Sequence, residues 1–83
     1  MTYQILYEKP AVKFLKKQSP EQQKRIISAI HKLPHEGDIK QMKGYANTYR
    51  LRIGDYRAIY TLENNILTVR VLNIGNRGDI YKH

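Results

Sequence analysis

The stretch TYRLRIGDYRAIYTLENNILTVRVLNI, residues 48–74, decides the fold of this chain. Three runs within it, 48–53, 55–63 and 65–74, alternate polar with apolar residues or are rich in β-branched ones, which is typical of strands. Gly54-Asp55 and Asn64-Asn65 separate the runs. These residue types tolerate the positive φ that two-residue hairpin turns require. The stretch therefore predicts three consecutive antiparallel strands joined by two tight turns.

The two turns also predict which residues share a face, because paired residues of an antiparallel ladder do so. With Gly54-Asp55 central in the first turn, Arg52 pairs with Arg57 and Arg50 with Ile59. With Asn64-Asn65 central in the second, Leu62 pairs with Leu67, Tyr60 with Val69, Ile59 with Arg70 and Arg57 with Leu72. The predicted helix-facing side carries Tyr49, Leu51, Ala58, Tyr60, Leu62, Leu67, Val69 and Val71. The other side gathers Arg50, Arg52, Arg57 and Arg70.

Folding alone does not explain why several arginines are placed on the same side of this sheet. Arg52 directly opposite Arg57 is a repulsive pair that costs about a fraction of a kcal/mol, whereas an anionic ligand gives a reason for it. A one-residue slip in either hairpin would instead divide the arginines between the two faces. Such a slip would also expose Leu51 or Val69, so the sequence favours the paired register.

The first half of the chain predicts one strand and a helical hairpin. Residues 3–7 are a short strand. A first helix starts near Pro10, whose fixed φ suits a first turn, and buries Val12, Phe14 and Leu15. A second starts at a capping box, with Ser19 as N-cap, Pro20 next and Gln22 three residues on; Ile26, Ile27, Ile30 and Leu33 follow at helical spacing, and Pro34 ends it. Residues 34–47 are a connector. The order βααβββ predicts a single α+β domain, residues 1–83, with the helical hairpin on one face of a mainly antiparallel four-stranded sheet.

Charge is the strongest global feature of the composition. Fifteen Lys and Arg against seven Asp and Glu give a net charge of +8 over 83 residues, which attracts phosphate backbones or an acidic protein segment. Eight of the nine lysines precede position 44, and five of the six arginines lie at position 50 or later. Because guanidinium groups bind phosphate bidentately, the second half is where we expect a site.

Several other functional classes lack the residues they need. There is no cysteine, which excludes disulfides, thiolate zinc sites and a cysteine nucleophile. No run is long and apolar enough for a membrane span, and the N-terminus does not resemble a signal peptide, so we expect a cytoplasmic protein. His31 and His35 are four apart, but Pro34 between them should break a helix, and two solvated histidines account for them better than a metal site. We expect no metal and no cofactor.

Three motifs resemble the RelE/ParE superfamily of toxins. Residues 49–60, YRLRIGDYRAIY, look like the central motif of that superfamily, and Lys40-Gln41-Met42-Lys43-Gly44 is similar to the basic stretch upstream of it. Residues 75–81, GNRGDIY, look like its ending. The resemblance covers essentially the whole chain and implies a RelE-like fold.

For RelE-type members the resemblance implies ribosome-dependent cleavage of mRNA without a metal. Arg57 and Arg77 would clamp the phosphate, and Tyr81 would stack on a base or exchange a proton. Arg50 and Arg52, where RelE itself has lysines, would stabilise the transition-state charge. Arginine cannot act as a general base, so the base stays open among Tyr81, His83 and Asp79. We further expect RNA contacts from Lys13, Lys16, Lys17, Lys43, Arg70 and Lys82.

Two alternatives stay open. ParE-type members poison DNA gyrase and generally lack this set of arginines and tyrosine, and a third possibility is a non-catalytic protein that binds an acidic partner. The expected partners are a cognate antitoxin, the ribosome and mRNA. DNA would be contacted only indirectly, through the antitoxin.

Overall fold

The computed structural model describes residues 3–76, and within them the chain forms two helices and five strands. The strands are β1 (Gln4–Tyr7), β2 (Asp38–Gln41), β3 (Thr48–Ile53), β4 (Tyr56–Glu63) and β5 (Thr68–Asn76). The helices are α1 (Lys9–Lys16) and α2 (Pro20–Ile30), and a short 3₁₀ turn spans Asn64–Ile66. No helix in this part of the chain is long and apolar enough to cross a membrane.

The strands form one sheet in the order β1-β5-β4-β3-β2. β1 pairs parallel with β5, and all other neighbours are antiparallel. The α+β class and the helices on one face are confirmed, but the sheet has five strands where four were predicted. The fifth, β2, lies in the segment expected to be a connector. It is four residues long and mostly exposed, so its sequence carries too little alternation to indicate a strand.

The helices begin where the sequence predicts and one ends earlier. Pro10 lies in the first turn of α1, and the Ser19 hydroxyl accepts a hydrogen bond from the Gln22 backbone N–H at 3.3 Å, which confirms the N-cap. α2 ends at Ile30 rather than at Pro34. Helical backbone is disfavoured for the residue before a proline, which here is Leu33. The chain instead passes through tight turns, in which the Leu33 N–H donates to the Ile30 carbonyl at 3.0 Å. Leu33 is still buried.

The first predicted hairpin register is confirmed and the second is wrong. Arg52 pairs with Arg57 and Arg50 with Ile59, as predicted. In the second hairpin Leu62 pairs with Val69 instead of Leu67, and Arg70 pairs with Thr61 instead of Ile59. The chain turns through the 3₁₀ segment and Leu67, which has φ +47°, so the turn is longer than two residues. A register irregularity between Ile59 and Tyr60 then places Arg57 opposite Gly75 rather than Leu72.

The core lies between the helices and one side of the sheet. Tyr60 is the largest fully buried side chain there, and its ring stacks on that of Tyr49 with centroids 5.5 Å apart. Burial, with a smaller contribution from Tyr49, raises the pKa of Tyr60 to about 12. The sheet residues buried under the helices are Leu51, Ile53, Ala58, Tyr60, Val69, Val71 and Ile74. Most of the predicted apolar face is therefore confirmed; Leu67 lies outside β5, and Tyr49 and Leu62 are only partly buried.

Candidate functional site

The side of the sheet that faces away from the helices, called here the open face, carries three of the predicted catalytic residues. Arg50 and Arg52 alternate along β3 with the buried Leu51 and Ile53, so their side chains point to the opposite side of the strand. Arg57 lies directly across from Arg52 on β4. The sequence predicted that these three guanidinium groups share a face with that of Arg70, and the structure confirms this.

The edge strand β2 adds a cation that the sequence analysis missed. Lys40 pairs with Arg50 across β2 and β3, and Ile39, its neighbour in the strand, pairs with the buried Leu51. Lys40 therefore belongs to the open face. We call Lys40, Arg50, Arg52 and Arg57 the cationic cluster. The alternation of Asp38-Ile39-Lys40 was the available signal, but only one apolar residue supports it.

One carboxylate borders the cationic cluster. Asp38 pairs with Arg52, and its Oδ2 lies 4.0 Å from the Arg52 Nε. Both side chains are largely exposed, at 62% and 44% of their surfaces. An exposed ion pair at this distance contributes little stability, since solvent screens it. Arg52 therefore remains available to a stronger anionic ligand.

Arg57 is buried, and no carboxylate of residues 3–76 pairs with it. It is only 6% exposed. Its Nη1 donates to the Tyr56 backbone carbonyl at 3.3 Å, while its Nε has no hydrogen-bond partner among the residues described. The same holds for the Nε of Arg50. Burying a guanidinium without a carboxylate costs free energy, so this position is poorly explained by folding and well explained by an anion that docks against it.

Arg70 lies on the open face but outside the cationic cluster. Its Nε donates to Glu63 Oε1 at 3.0 Å and its Nη1 to Glu8 Oε2 at 3.4 Å. The hydrogen bond to Glu63 is the largest cause that raises the pKa of Arg70, and Glu8 adds to it. Two carboxylates at this corner offset the arginine's charge. The open face is thus cationic over β2, β3 and part of β4 and close to neutral at the end where β5 meets β1.

The other predicted RNA-contacting residues are divided between two regions. Lys43 lines a depression of about 310 Å³ beside the cationic cluster, together with Lys40, Gln41, Met42 and Arg50. The lysines of the first helix, Lys13, Lys16 and Lys17, are exposed but belong to the helical layer, on the other side of the sheet. Arg77, Tyr81 and Lys82 lie outside the described residues.

Metal ligation finds little support in residues 3–76. No group of three or more His, Asp or Glu side chains is placed to hold a metal ion in that range. His31 and His35 are both exposed, in the turns after α2. The His35 ring meets the Tyr3 ring edge to face, with centroids 6.1 Å apart.

Comparison with known proteins identifies the family. A family model described as the ParE toxin of type II toxin-antitoxin systems, parDE, matches residues 5–81. The chain belongs to the RelE/ParE superfamily of toxins. Within that superfamily, it is 34% identical over 86 residues to Toxin RelE3 of Methanocaldococcus jannaschii, an alignment that covers 95% of this chain and 96% of the relative.

Solved structures of RelE proteins share the fold of this RelE/ParE toxin. A chain of the archaeal RelE-RelB complex from Pyrococcus horikoshii OT3 is 28% identical, with a TM-score of 0.79 over 95% of this chain and 99% of that one. A chain of the RelB-RelE antitoxin-toxin complex from Methanococcus jannaschii is 33% identical, with a TM-score of 0.74 over 92% and 94%. The isolated E. coli RelE toxin, at 18% identity and a TM-score of 0.75 over 96% of this chain and 92% of that one, supports the fold alone. The predicted family and RelE-like fold are therefore confirmed.

Proposed function

We propose that this toxin is a ribosome-dependent endoribonuclease that cuts mRNA and so inhibits translation. The observation that carries the proposal is Arg57, which is buried on the open face directly opposite Arg52 and has no carboxylate partner among the residues described. Folding gains nothing from two opposed guanidinium groups. A phosphodiester between them would accept hydrogen bonds from both and would offset their repulsion.

The proposed chemistry needs positioned cations rather than a metal. The RNA 2′-oxygen attacks the adjacent phosphorus as its hydroxyl loses a proton, the bond to the 5′-oxygen breaks, and that oxygen takes up a proton. The products are a cyclic phosphate and a free 5′-hydroxyl. Arg57, with Arg77, would clamp the phosphate, and Arg50 and Arg52 would stabilise the charge that develops in the transition state. Arginine stays protonated, so the proton transfers fall to another group, for which Tyr81 is our candidate.

A cognate antitoxin is the partner we infer. Two of the solved relatives are complexes of RelE with RelB. A net charge of +8 favours an acidic segment that folds on binding, and the cationic cluster is the surface that such a segment would cover. Contact with DNA is expected from the antitoxin rather than from this chain.

One observation favours a second candidate function. The matching family model carries the ParE name, and ParE-type toxins act on DNA gyrase, whereas the relatives described above carry the RelE name. The two readings predict different activities from the same purified protein. A blocked supercoiling reaction with purified gyrase supports the second candidate.

The test of the proposed function is cleavage on ribosomes programmed with a defined mRNA, with the new 5′ ends mapped. We expect cuts in the codon at the decoding site. Removing one transition-state donor costs about 10²–10³ in rate, so Arg57→Ala and Arg77→Ala should each lose at least about 100-fold. Arg25→Ala is the matched control, because Arg25 is an exposed arginine of the helical layer. Absence of cleavage by the wild-type protein, with no effect on gyrase either, would leave only a non-catalytic binding protein.

A further inference from the structure

Tyr45 is the most exposed aromatic side chain in the described part of the chain. It is 63% exposed, and the one other large apolar side chain there with similar exposure is Ile66, at 62%. The remaining tyrosines of residues 3–76 pack against the core or lie within it: Tyr3, Tyr7, Tyr49, Tyr56 and Tyr60. Tyr45 contributes nothing comparable to folding, so its ring needs another explanation.

The loop that carries Tyr45 is held in a defined shape. It connects β2 to β3, and the Met42 N–H donates to the Thr48 carbonyl at 2.9 Å across its base. The Thr48 hydroxyl donates to the Ala46 carbonyl at 3.0 Å. The Leu62 N–H on β4 donates to the Asn47 carbonyl, also at 3.0 Å. These bonds join the loop to two strands, so the exposed ring is presented at a fixed end of the sheet.

Two lysines line the same depression as this ring and connect it to the cationic cluster. Tyr45 borders a depression of about 670 Å³ whose lining includes Lys40 and Lys43. Both lysines also line the smaller depression that contains Arg50. Lys40 is thus shared between the surroundings of Tyr45 and the open face. Ile66 differs, because the depression beside its turn is lined by Glu63 and Asn64 and by no lysine or arginine.

An aromatic ring beside a basic groove is the arrangement by which proteins bind single-stranded nucleic acid. Cations follow the phosphate backbone, and a base stacks on the ring. An acidic protein segment would be attracted by the same lysines, but only a nucleotide chain carries a planar base at every position that can stack on an exposed tyrosine. The observations therefore favour a nucleotide chain over a peptide at this position.

We propose that Tyr45 is the stacking platform for a nucleobase of the bound strand, at the opposite end of β3 from the Arg52–Arg57 pair, with Lys40 and Lys43 binding phosphates near it. This inference rests on the proposed function for the identity of the strand as mRNA. It assigns the hairpin tip between β2 and β3 to substrate binding and places the RNA along the cationic part of the open face. The strand then lies over β2 and β3 rather than over β5, where Glu8 and Glu63 hold Arg70.

The first test measures cleavage on programmed ribosomes by Tyr45→Ala and Tyr45→Phe. Loss of one stacked base weakens binding by about 5- to 150-fold, so kcat/KM should fall within that range for Tyr45→Ala. Tyr45→Phe keeps the ring and should stay within about twofold of the wild type. Ile66→Ala, which removes an equally exposed apolar side chain from the same end of the sheet, is the control and should cleave normally.

A second arm identifies what the ring contacts. Each nucleotide of the decoding-site codon and of the codon on either side of it is replaced in turn by an abasic one. At the stacked position the wild type should slow and the difference from Tyr45→Ala should disappear. If Tyr45→Ala cleaves like the wild type, or loses the same factor on every abasic mRNA, the ring does not stack on a base and the inference is overturned. Weaker antitoxin binding with unchanged cleavage would likewise assign the ring to protein contact.

Failure of the proposed function is distinguishable from failure of this inference. If the wild type cleaves nothing, the proposed function fails, and the ring is tested by fluorescence anisotropy with a labelled single-stranded RNA decamer. Tyr45→Ala should then weaken binding without changing the slope of log Kd against log salt, because stacking releases no counterion. Lys43→Ala should lower that slope by about 0.7. Equal affinities of Tyr45→Ala and the wild type overturn the inference.

Discussion

Arg57 shows how a single residue can be costly for the fold and useful for the site. Its guanidinium is buried, it faces Arg52, and it lies within the part of the sheet that has few carboxylates. Replacing a buried charge by an apolar side chain of similar volume is often neutral or stabilising. Arg57 is therefore the position at which we predict that stability and activity can be separated.

We predict that Arg57→Met leaves the free energy of unfolding unchanged or raises it by about 1 kcal/mol, while cleavage is lost. The methionine keeps most of the volume and removes the repulsion with Arg52. Urea denaturation followed by circular dichroism measures the stability. Arg52→Met at the exposed partner is the comparison and should stay within about 0.5 kcal/mol of the wild type. A loss of more than about 2 kcal/mol at position 57 would mark Arg57 as a structural residue.

Individual residues of the site were predictable where the strand around them alternates. Arg50, Arg52 and Arg57 follow from the regular pattern of β3 and from the Gly54-Asp55 turn, and the structure brings them together. Lys40 was missed because β2 has four residues and one inward-facing apolar side chain. The pairing of Arg70 with Glu8 joins positions 62 residues apart, a separation that no local pattern can indicate.

At the scale of elements, the connection between β4 and β5 explains the one wrong register. Ile66 and Leu67 are apolar and extend the apparent strand pattern, yet Ile66 belongs to the 3₁₀ turn and Leu67 has a left-handed backbone. The resulting shift near the turn is two residues, from Leu67 to Val69 opposite Leu62. Because side chains alternate with a period of two, this shift kept Val69, Val71 and Arg70 on their predicted faces.

The stacked tyrosines that join β3 to β4 predict how the sheet responds to alkaline pH. Burial raises the pKa of Tyr60 from 10.0 to about 12 in the folded protein. A raised folded pKa contributes stability that is fully present below pH 10 and is lost as the pH rises through 12. A rise in pKa of this size corresponds to at most about 3 kcal/mol of folding stability.

We therefore predict that the free energy of unfolding of the wild type falls between about pH 10 and pH 12. In Tyr60→Phe the ring stays buried and the ionisable group is gone, so part of this fall should disappear. Urea titrations at several pH values measure it. Tyr45→Phe is the control, because Tyr45 is exposed and removal of its hydroxyl should leave the pH profile as in the wild type. Superimposable profiles for Tyr60→Phe and the wild type would contradict the assignment.

Over the whole molecule, the positive charge is arranged on two sides of one sheet. The arginines of the cationic cluster lie on the open face, and Lys13, Lys16 and Lys17 lie on the helical layer. A substrate strand on the open face cannot also contact α1. If the helical lysines bind phosphates, those phosphates belong to a second nucleic-acid surface, which on a ribosome is rRNA.

We predict that replacing Lys13, Lys16 and Lys17 together by glutamine weakens ribosome binding and makes it less sensitive to salt. Each lost phosphate contact lowers the slope of log K against log salt by about 0.7 to 0.9. The slope of the triple variant should therefore be lower by about 2 to 3 than that of the wild type. Sedimentation of the protein with ribosomes over a range of salt concentrations measures the slope. The triple change of Lys9, Lys24 and Lys32, also exposed, tests whether position matters as well as charge. An unchanged slope would mean that the α1 lysines are only solvated.

The parallel pairing of β1 with β5 affects the order in which the molecule can be completed. Gln4 of β1 pairs with Thr68 of β5. β1 is synthesised before β5, so it cannot form this pairing until β5 has been synthesised. At about 5–20 residues per second, translation alone imposes a delay of several seconds. During that interval the parallel pair that completes the sheet cannot form.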